Sequence, residues 1–191
     1  MIRVLLSGGM DSTACLAWAL LEGNDAVECL FVSYGQRHED REYAAASRVA
    51  RHFGVRLWSM PLSTIEGSSL TGGPGDLDGA AVVVPGRNAI MLRQAAAMFP
   101  AADTVVMGCC RDDWDLFEDC RPEFFDKMSD DLAPTRIATP VLDLDKRGVF
   151  EFAQKYGGTA LLELTWSCYA GGDVPCEECG ACAARARGMG R

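Results

Sequence analysis

At 191 residues, 49% hydrophobic and 24% charged with a mean hydropathy of +0.03, the chain has the balance of one globular domain, which excludes disorder as its main state and a second large domain. Its 18 Lys and Arg against 27 Asp and Glu give a net charge of −9 and a pI near 4.7, so it lacks the basic surplus that stable binding of a nucleic-acid polymer requires. Apolar runs such as 14–21 and 80–84 fall short of the roughly 18 residues of a membrane span, and the N-terminus lacks the pattern of a signal peptide, so a cytoplasmic protein is expected.

The first predicted strand, 2–6, runs directly into Ser7-Gly8-Gly9-Met10-Asp11-Ser12, and a helix follows over 12–22. A turn between strand and helix is where backbone N–H groups converge on an anion. Gly8 and Gly9 leave no Cβ in the way of a phosphate, the Ser7 and Ser12 hydroxyls can donate to its oxygens, and Asp11 can hold Mg²⁺. No Lys follows the glycines as in a Walker A loop, and the string is not GxGxxG. A tight turn capped by Ser and Asp is the plain structural reading of the same residues.

A second strand over 27–34 ends at Tyr34 and is followed by Gln36, Arg37 and His38, which face the same crevice if the sheet is parallel. His38 can relay protons or simply pack. A helix over 39–53 carries His52 away from that crevice, and a third strand spans 55–60. The loop 63–79, rich in Gly, Ser and Asp, reads as a lid, a specificity loop or an ordinary surface loop. Pro85-Gly86 then introduces Arg87 and Asn88 at the start of a helix over 87–99.

A strand over 104–108, a helix over 121–132, a strand over 137–141 and a helix over 145–156 complete the alternation, which predicts an α/β fold with a parallel sheet and helices on both faces. Asp145 can cap the last of these helices, Val149, Phe150, Phe152, Ala153 and Tyr156 form its core stripe, and Gly157-Gly158 stops it.

Nine cysteines suggest metal ligation or reactive thiols in a reducing compartment. Cys168, Cys176, Cys179 and Cys182 fall within fifteen residues as C-x7-C-x2-C-x2-C. Four thiolates so close make a closed, structural Zn²⁺ site, and an iron–sulfur cluster is the competing reading. The chain therefore divides into a main domain, 1–164, and a metal-clamped segment, 165–191. Cys15, Cys29, Cys109 and Cys110 read as small core residues, and Cys120 stays open.

The Ser-Gly-Gly-Met-Asp-Ser string resembles the pyrophosphate loop of the PP-loop (HUP-type) ATP pyrophosphatases, whose Rossmann-like fold the resemblance implies. Tyr34-Gly35-Gln36-Arg37-His38, Val84-Pro85-Gly86-Arg87-Asn88, Asp119-Cys120-Arg121-Pro122-Glu123-Phe124 and Leu164-Thr165-Trp166-Ser167-Cys168-Tyr169, taken in order with the cysteine tail, resemble the QueC family of deazapurine biosynthesis. The resemblance implies that ATP activates the carboxylate of 7-carboxy-7-deazaguanine, that ammonia gives the amide, and that a second activation gives the nitrile. It also implies a homodimer. It sets ATP against Leu6, Ser7, Gly8, Gly9, Met10, Asp11, Ser12, Thr13 and Leu16. Substrate or catalytic roles fall to Tyr34, Gln36, Arg37, His38, Arg87, Asn88, Asp119, Arg121, Glu123 and Trp166, with Tyr169 as a further aromatic wall.

Two departures bear on the substrate. Ser33 stands where the family has Asp, and 110–118 replaces the family's usual Asn-Ala-Val-Asp-Tyr-Ser-Gly-Tyr-Pro beside the expected base pocket. A related carboxylate is thus an alternative, as is a tRNA sulfurtransferase using a persulfide on Cys120 or Cys110. A non-catalytic zinc module is the third reading, and the intact glycine loop speaks against it.

Overall fold

The computed structural model describes residues 1–22, 26–98, 104–157 and 159–190. Five parallel strands form one sheet in the order β3-β2-β1-β4-β5, with β1 Ile2–Leu5, β2 Val27–Ser33, β3 Leu57–Pro61, β4 Thr104–Val106 and β5 Arg136–Ala138. Parallel strands covered on both faces read as continuous apolar runs, which is why β1 and β2 are legible from composition. Helices α1 Met10–Glu22, α2 Glu39–Phe53, α5 Lys146–Gly157 and the short α6 Thr159–Glu163 cover the face that carries Ile2, Val4 and Phe31. Helices α3 Arg87–Met98 and α4 Pro122–Asp131 cover the other, over Leu5, Leu30 and Val105. A C-terminal helix, α7 Gly180–Gly188, packs on α5.

The predicted α/β architecture, a Rossmann-like sheet with helices on both faces, is thus the observed one. Its edges differ from expectation. Strand β5 ends at Ala138 because Pro140 has no N–H for the ladder, and Val141, fully buried, belongs to the turn that follows. Strand β4 stops at Val106, since Gly108 passes so close to α1 that a Cβ there would stand 2.6 Å from the Ser12 nitrogen. Cys109 and Cys110 therefore lie in a loop rather than in a strand. Phe150 and Phe152 are half-buried against the core around Val149 and Ala153, and Asp145 Oδ1 accepts from the Gly148 N–H at 2.7 Å as a cap. Phe99 and Gly158, expected near helix ends, lie outside the described residues.

The 63–79 loop is pinned in place. Ser68 and Ser69 are fully buried and their hydroxyls donate to Ala81 O and Asp76 O, while Leu70 packs with Tyr34, Val82 and Val84 in a small core of its own. Among the described residues no helix is long and apolar enough to cross a membrane.

Candidate active site

The carboxyl ends of β1, β2 and β4 open on a cavity of about 430 Å³, the place where parallel α/β sheets bind ligands. At one end lies the glycine loop. Ser7 Oγ accepts from the Gly9 N–H at 3.2 Å and lies 3.1 Å from Ser12 Oγ, and the Ser12 hydroxyl donates to Gly9 O at 3.2 Å. Leu6, Ser7, Gly9, Met10, Asp11 and Ser12 line the cavity, with the N-terminus of α1 directed at it. Thr13 and Leu16, fully buried in α1, are not among the lining residues. Gly8 is needed for a reason other than phosphate access. Its φ is +80° and a Cβ there would stand 2.5 Å from the Ala46 nitrogen, so glycine is what lets α2 pack against the loop.

Asp11 sits between Lys146, whose Nζ donates to its Oδ2 at 2.7 Å, and a second carboxylate, Asp113, 3.7 Å from the same ammonium. Burial works against the Lys146 charge, but Asp11 and Asp113 outweigh it and hold its pKa well above the ordinary lysine range. Burial also raises the Asp11 carboxyl, with Lys146 opposing and Asp113 adding. Its Oδ1 is buried without a hydrogen-bond partner among the described residues. Asp11, Cys110 and Asp113 bring ligand atoms within 4.8 Å of one another. Burial first, then Asp11, pushes the Cys110 thiol far up, so the donor set here is two carboxylate oxygens, which suits a hard cation such as Mg²⁺.

The opposite wall is built from β2 and α3. Arg87 NH1 donates to Tyr34 Oη at 3.4 Å, its guanidinium lies 5.6 Å from the centre of the Tyr34 ring, and its Nε donates to Asn88 Oδ1 at 3.2 Å. Burial opposes the Arg87 charge, and Tyr34, Cys120 and Asp119 together hold it firmly cationic. Asn88 and Asp119 brace each other: the Asn88 N–H donates to Asp119 Oδ2 at 3.0 Å and its Nδ2 to Asp119 O at 2.8 Å. That Nδ2 also reaches Cys120 Sγ and Cys109 Sγ, which are 3.5 Å apart and line the cavity. The remaining wall is apolar, from Leu30, Val32, Met91, Leu116 and Phe117, with the Trp166 and Tyr169 rings beside it.

The predicted residues divide accordingly. Tyr34, His38, Arg87, Asn88 and Trp166 come together on the cavity, and Leu116 and Phe117 bring the divergent 110–118 segment to it. Gln36 is buried behind the wall, where Oε1 accepts from the Tyr34 N–H at 2.8 Å and Nε2 donates to Glu42 Oε2 at 3.1 Å. Arg37 is exposed and contributes only its backbone N–H, to Leu70 O. Arg121 and Glu123 are also exposed and lie outside the cavity lining, because Pro122 starts α4 there and Arg121 Nε turns back to Trp114 O at 2.8 Å.

The four tail cysteines place their sulfurs within 4.8 Å of one another, and Cys168 Sγ lies 3.5 Å from Cys176 Sγ, near the roughly 3.8 Å that tetrahedral Zn–S bonds impose. Backbone N–H groups of Ala170 and Cys176 donate to Cys168 Sγ and that of Cys179 to Cys176 Sγ, as thiolate ligands favour. Backbone hydrogen bonds from the 178–179 turn lower the Cys176 thiol to about 7. The cluster fits a metal. It anchors the start of α7, whose Ala181, Ala183, Ala184, Arg185 and Arg187 line the cavity. Arg185 is locked by donating to Thr165 Oγ1 at 2.6 Å and Leu162 O at 2.7 Å, and the Trp166 N–H donates to Gly8 O at 2.9 Å.

Reasoning from sequence misses Lys146, Glu42, Asp113 and the α7 wall. The visible trace of Lys146 is its place just after the capping Asp145, at the mouth of a strand-to-helix turn.

The chain has clear relatives. A model of the family described as queuosine biosynthesis protein QueC matches residues 2–191. A 7-cyano-7-deazaguanine synthase of Prochlorococcus marinus (strain MIT 9215) is 35% identical, with 96% of this chain and 91% of that one aligned. One from Oceanobacillus iheyensis is 36% identical, over 97% and 91%. Among solved structures, the NMN synthetase of Francisella tularensis superposes with a TM-score of 0.58 at 16% identity, covering 100% of this chain and 77% of that one. The U34-tRNA thiolase NcsA of Methanococcus maripaludis, solved with its [4Fe-4S] cluster, gives 0.53 at 15%, over 99% and 63%. These two likenesses speak to the fold.

Proposed function

The chain belongs to the QueC family of queuosine biosynthesis proteins, and on that premise we propose that it converts 7-carboxy-7-deazaguanine and ammonia to 7-cyano-7-deazaguanine at the expense of ATP. The observation that carries this reading is one cavity with an anion-binding loop and Asp11 at one end and a firmly cationic Arg87 with aromatic walls at the other. That span suits a triphosphate beside a planar carboxylated base.

A carboxylate is a poor electrophile, so its oxygen must first become a leaving group. The loop N–H groups and the Ser7 and Ser12 hydroxyls hold the phosphates, and Lys146 offsets charge that develops on departing pyrophosphate. Asp11 and Asp113 would hold Mg²⁺, which when bound neutralises triphosphate charge. Arg87, fixed by Tyr34 and Asn88, orients the carboxylate toward the phosphorus being attacked. Trp166 and Tyr169 flank the base. The resulting acyl-adenylate accepts ammonia and releases AMP to give the amide; adenylating the amide oxygen in the same way, with release of pyrophosphate, lets AMP carry that oxygen away as the nitrogen gives up its protons and the nitrile forms. Cys168, Cys176, Cys179 and Cys182 would hold Zn²⁺ in a closed, structural site. The reading includes a cytoplasmic homodimer, on the pattern of the family, and treats 165–191 as an appendage of the ATP domain 1–164.

Incubating zinc-replete protein with ATP, Mg²⁺, ammonium and 7-carboxy-7-deazaguanine tests it. Mass spectrometry is expected to show amide and then nitrile, with ATP consumed only when the carboxylate is present. ATP binding without turnover would overturn this substrate in favour of a related carboxylate, which the altered 110–118 wall makes the second reading. A persulfide mechanism is less well supported. Burial, and then Asp11, hold the Cys110 thiol far above the ordinary range, and sulfur carriers need thiolates.

A further inference from the structure

Five carboxylates line the cavity: Asp11, Glu42, Asp78, Asp112 and Asp113. Asp11 and Asp113 face Lys146, Asp112 lies 3.9 Å from Arg187, and Asp78 accepts from the Gly79 N–H of its own turn. Glu42 differs. Among the described residues its side chain meets no lysine or arginine; Gln36 Nε2 donates to Oε2 at 3.1 Å and His38 Nε2 lies 3.5 Å from Oε1.

Its surroundings say what it is for. Glu42 lines the same cavity as Ser7, Gly9 and Ser12, so its charge repels a triphosphate held by that loop and invites a small cation. His38 stands beside it, with Nε2 as the nitrogen that faces the carboxylate. It is 2% exposed, it lines the cavity, and its Nδ1 is buried with no hydrogen-bond partner among the described residues. Gln36 fixes the carboxylate from behind, and the Tyr169 ring, 5.4 Å from the imidazole, closes the side. The space is bounded by one anion, one proton acceptor and an aromatic ring.

We propose that Glu42 and His38 form the position that captures ammonium and takes its protons during amide formation. This rests on the reaction proposed above. Ammonium is the abundant form of ammonia at neutral pH and has no lone pair to attack with. One proton passes to the Glu42 carboxylate. The freed nitrogen lone pair forms the C–N bond at the acyl carbon, the bond from that carbon to the AMP oxygen breaks, and its electron pair leaves with AMP. The second proton lost by nitrogen passes to His38, and both protons return to water. Glu42 and His38 thereby act on the nucleophile and not on the activation of the carboxylate.

The test separates those two steps in the zinc-replete enzyme. Hydroxylamine is largely neutral at pH 7 and traps the acyl-adenylate as a hydroxamate without needing an ammonium site. Glu42→Gln is expected to raise the KM for ammonium by about tenfold, the scale of one charge-assisted hydrogen bond, while hydroxamate formation stays within about twofold of the unsubstituted enzyme. An unchanged ammonium KM, or equal losses with both nucleophiles, overturns the proposal. Should Glu42→Gln fail to fold, His38→Asn serves: kcat with ammonium must fall while hydroxamate formation persists, and a variant that leaves the ratio of the two unchanged counts against the idea. If the unsubstituted enzyme forms no hydroxamate, carboxylate activation itself is wrong, and the ammonium position falls with it.

Discussion

The 7–12 loop and the 165–190 segment meet in one cavity but stand on unlike foundations. The loop grows from β1 and α1, whose Val4, Ala14 and Leu16 are wholly buried, so its shape is set by the main core. The tail enters through Trp166, turns around four cysteines and returns as α7, with Val174 mostly exposed between them. Small apolar content and few core contacts mean that local packing supplies little of its folding free energy. One wall of the site is therefore formed by hydrophobic burial, and the other is gathered around a cysteine cluster that could hold a metal.

The sharpest way to break that contrast is to remove the metal. Chelation, or Cys179→Ser, is expected to open 165–190 to proteolysis and abolish turnover while the far-UV circular dichroism of the sheet persists, since thiolate–zinc sites contribute on the order of 10 kcal/mol. Retained protease resistance without metal would erase the distinction. Asp11→Asn should leave the fold in place and lower kcat by about 10²-fold or more, because it removes the charge that Lys146 and a cation share; steady-state kinetics with titrated Mg²⁺ reads this directly.

Gly8→Ala probes the preformed wall. Positive φ and the contact with Ala46 should cost about 3 kcal/mol in urea unfolding. Arg185→Met loosens the tail only, by about 1–2 kcal/mol, through its lost bonds to Thr165 and Leu162, and is expected to add to the sensitivity toward chelators. The smallest effect belongs to Arg147→Ala, whose exposed pair with Glu151 should be worth less than about 0.5 kcal/mol.

The same contrast explains what could be read from the chain. Strands β1 and β2 are visible because they are mostly apolar, their buried Arg3 answered by Glu28 on the neighbouring strand, and the 7–12 loop because its glycines and serines are adjacent in sequence. Helix α7 shows no apolar stripe, only Ala, Arg and Gly around Cys182, so periodicity has nothing to find; it starts at the cysteine cluster and packs on α5. Helix α6, at five residues, is too short for any period to register. Lys146 is missed because its partner Asp11 is 135 residues away, and Glu42 looks like any charge on an amphipathic helix until the fold turns it toward the cavity. Arg121 and Glu123 run the other way: polar residues beside a cysteine suggest chemistry, while the fold leaves them exposed at a helix start on Pro122, outside the cavity lining.

The hydrogen bond from Trp166 to Gly8 has a bearing on biosynthesis. It joins residues far apart in sequence, so a nascent polypeptide can assemble β1, α1 and β2 early yet cannot finish the 7–12 turn until the segment around 166 has cleared the ribosome. Any binding that needs the finished 7–12 turn should then begin only after residue 166 has been made and folded back.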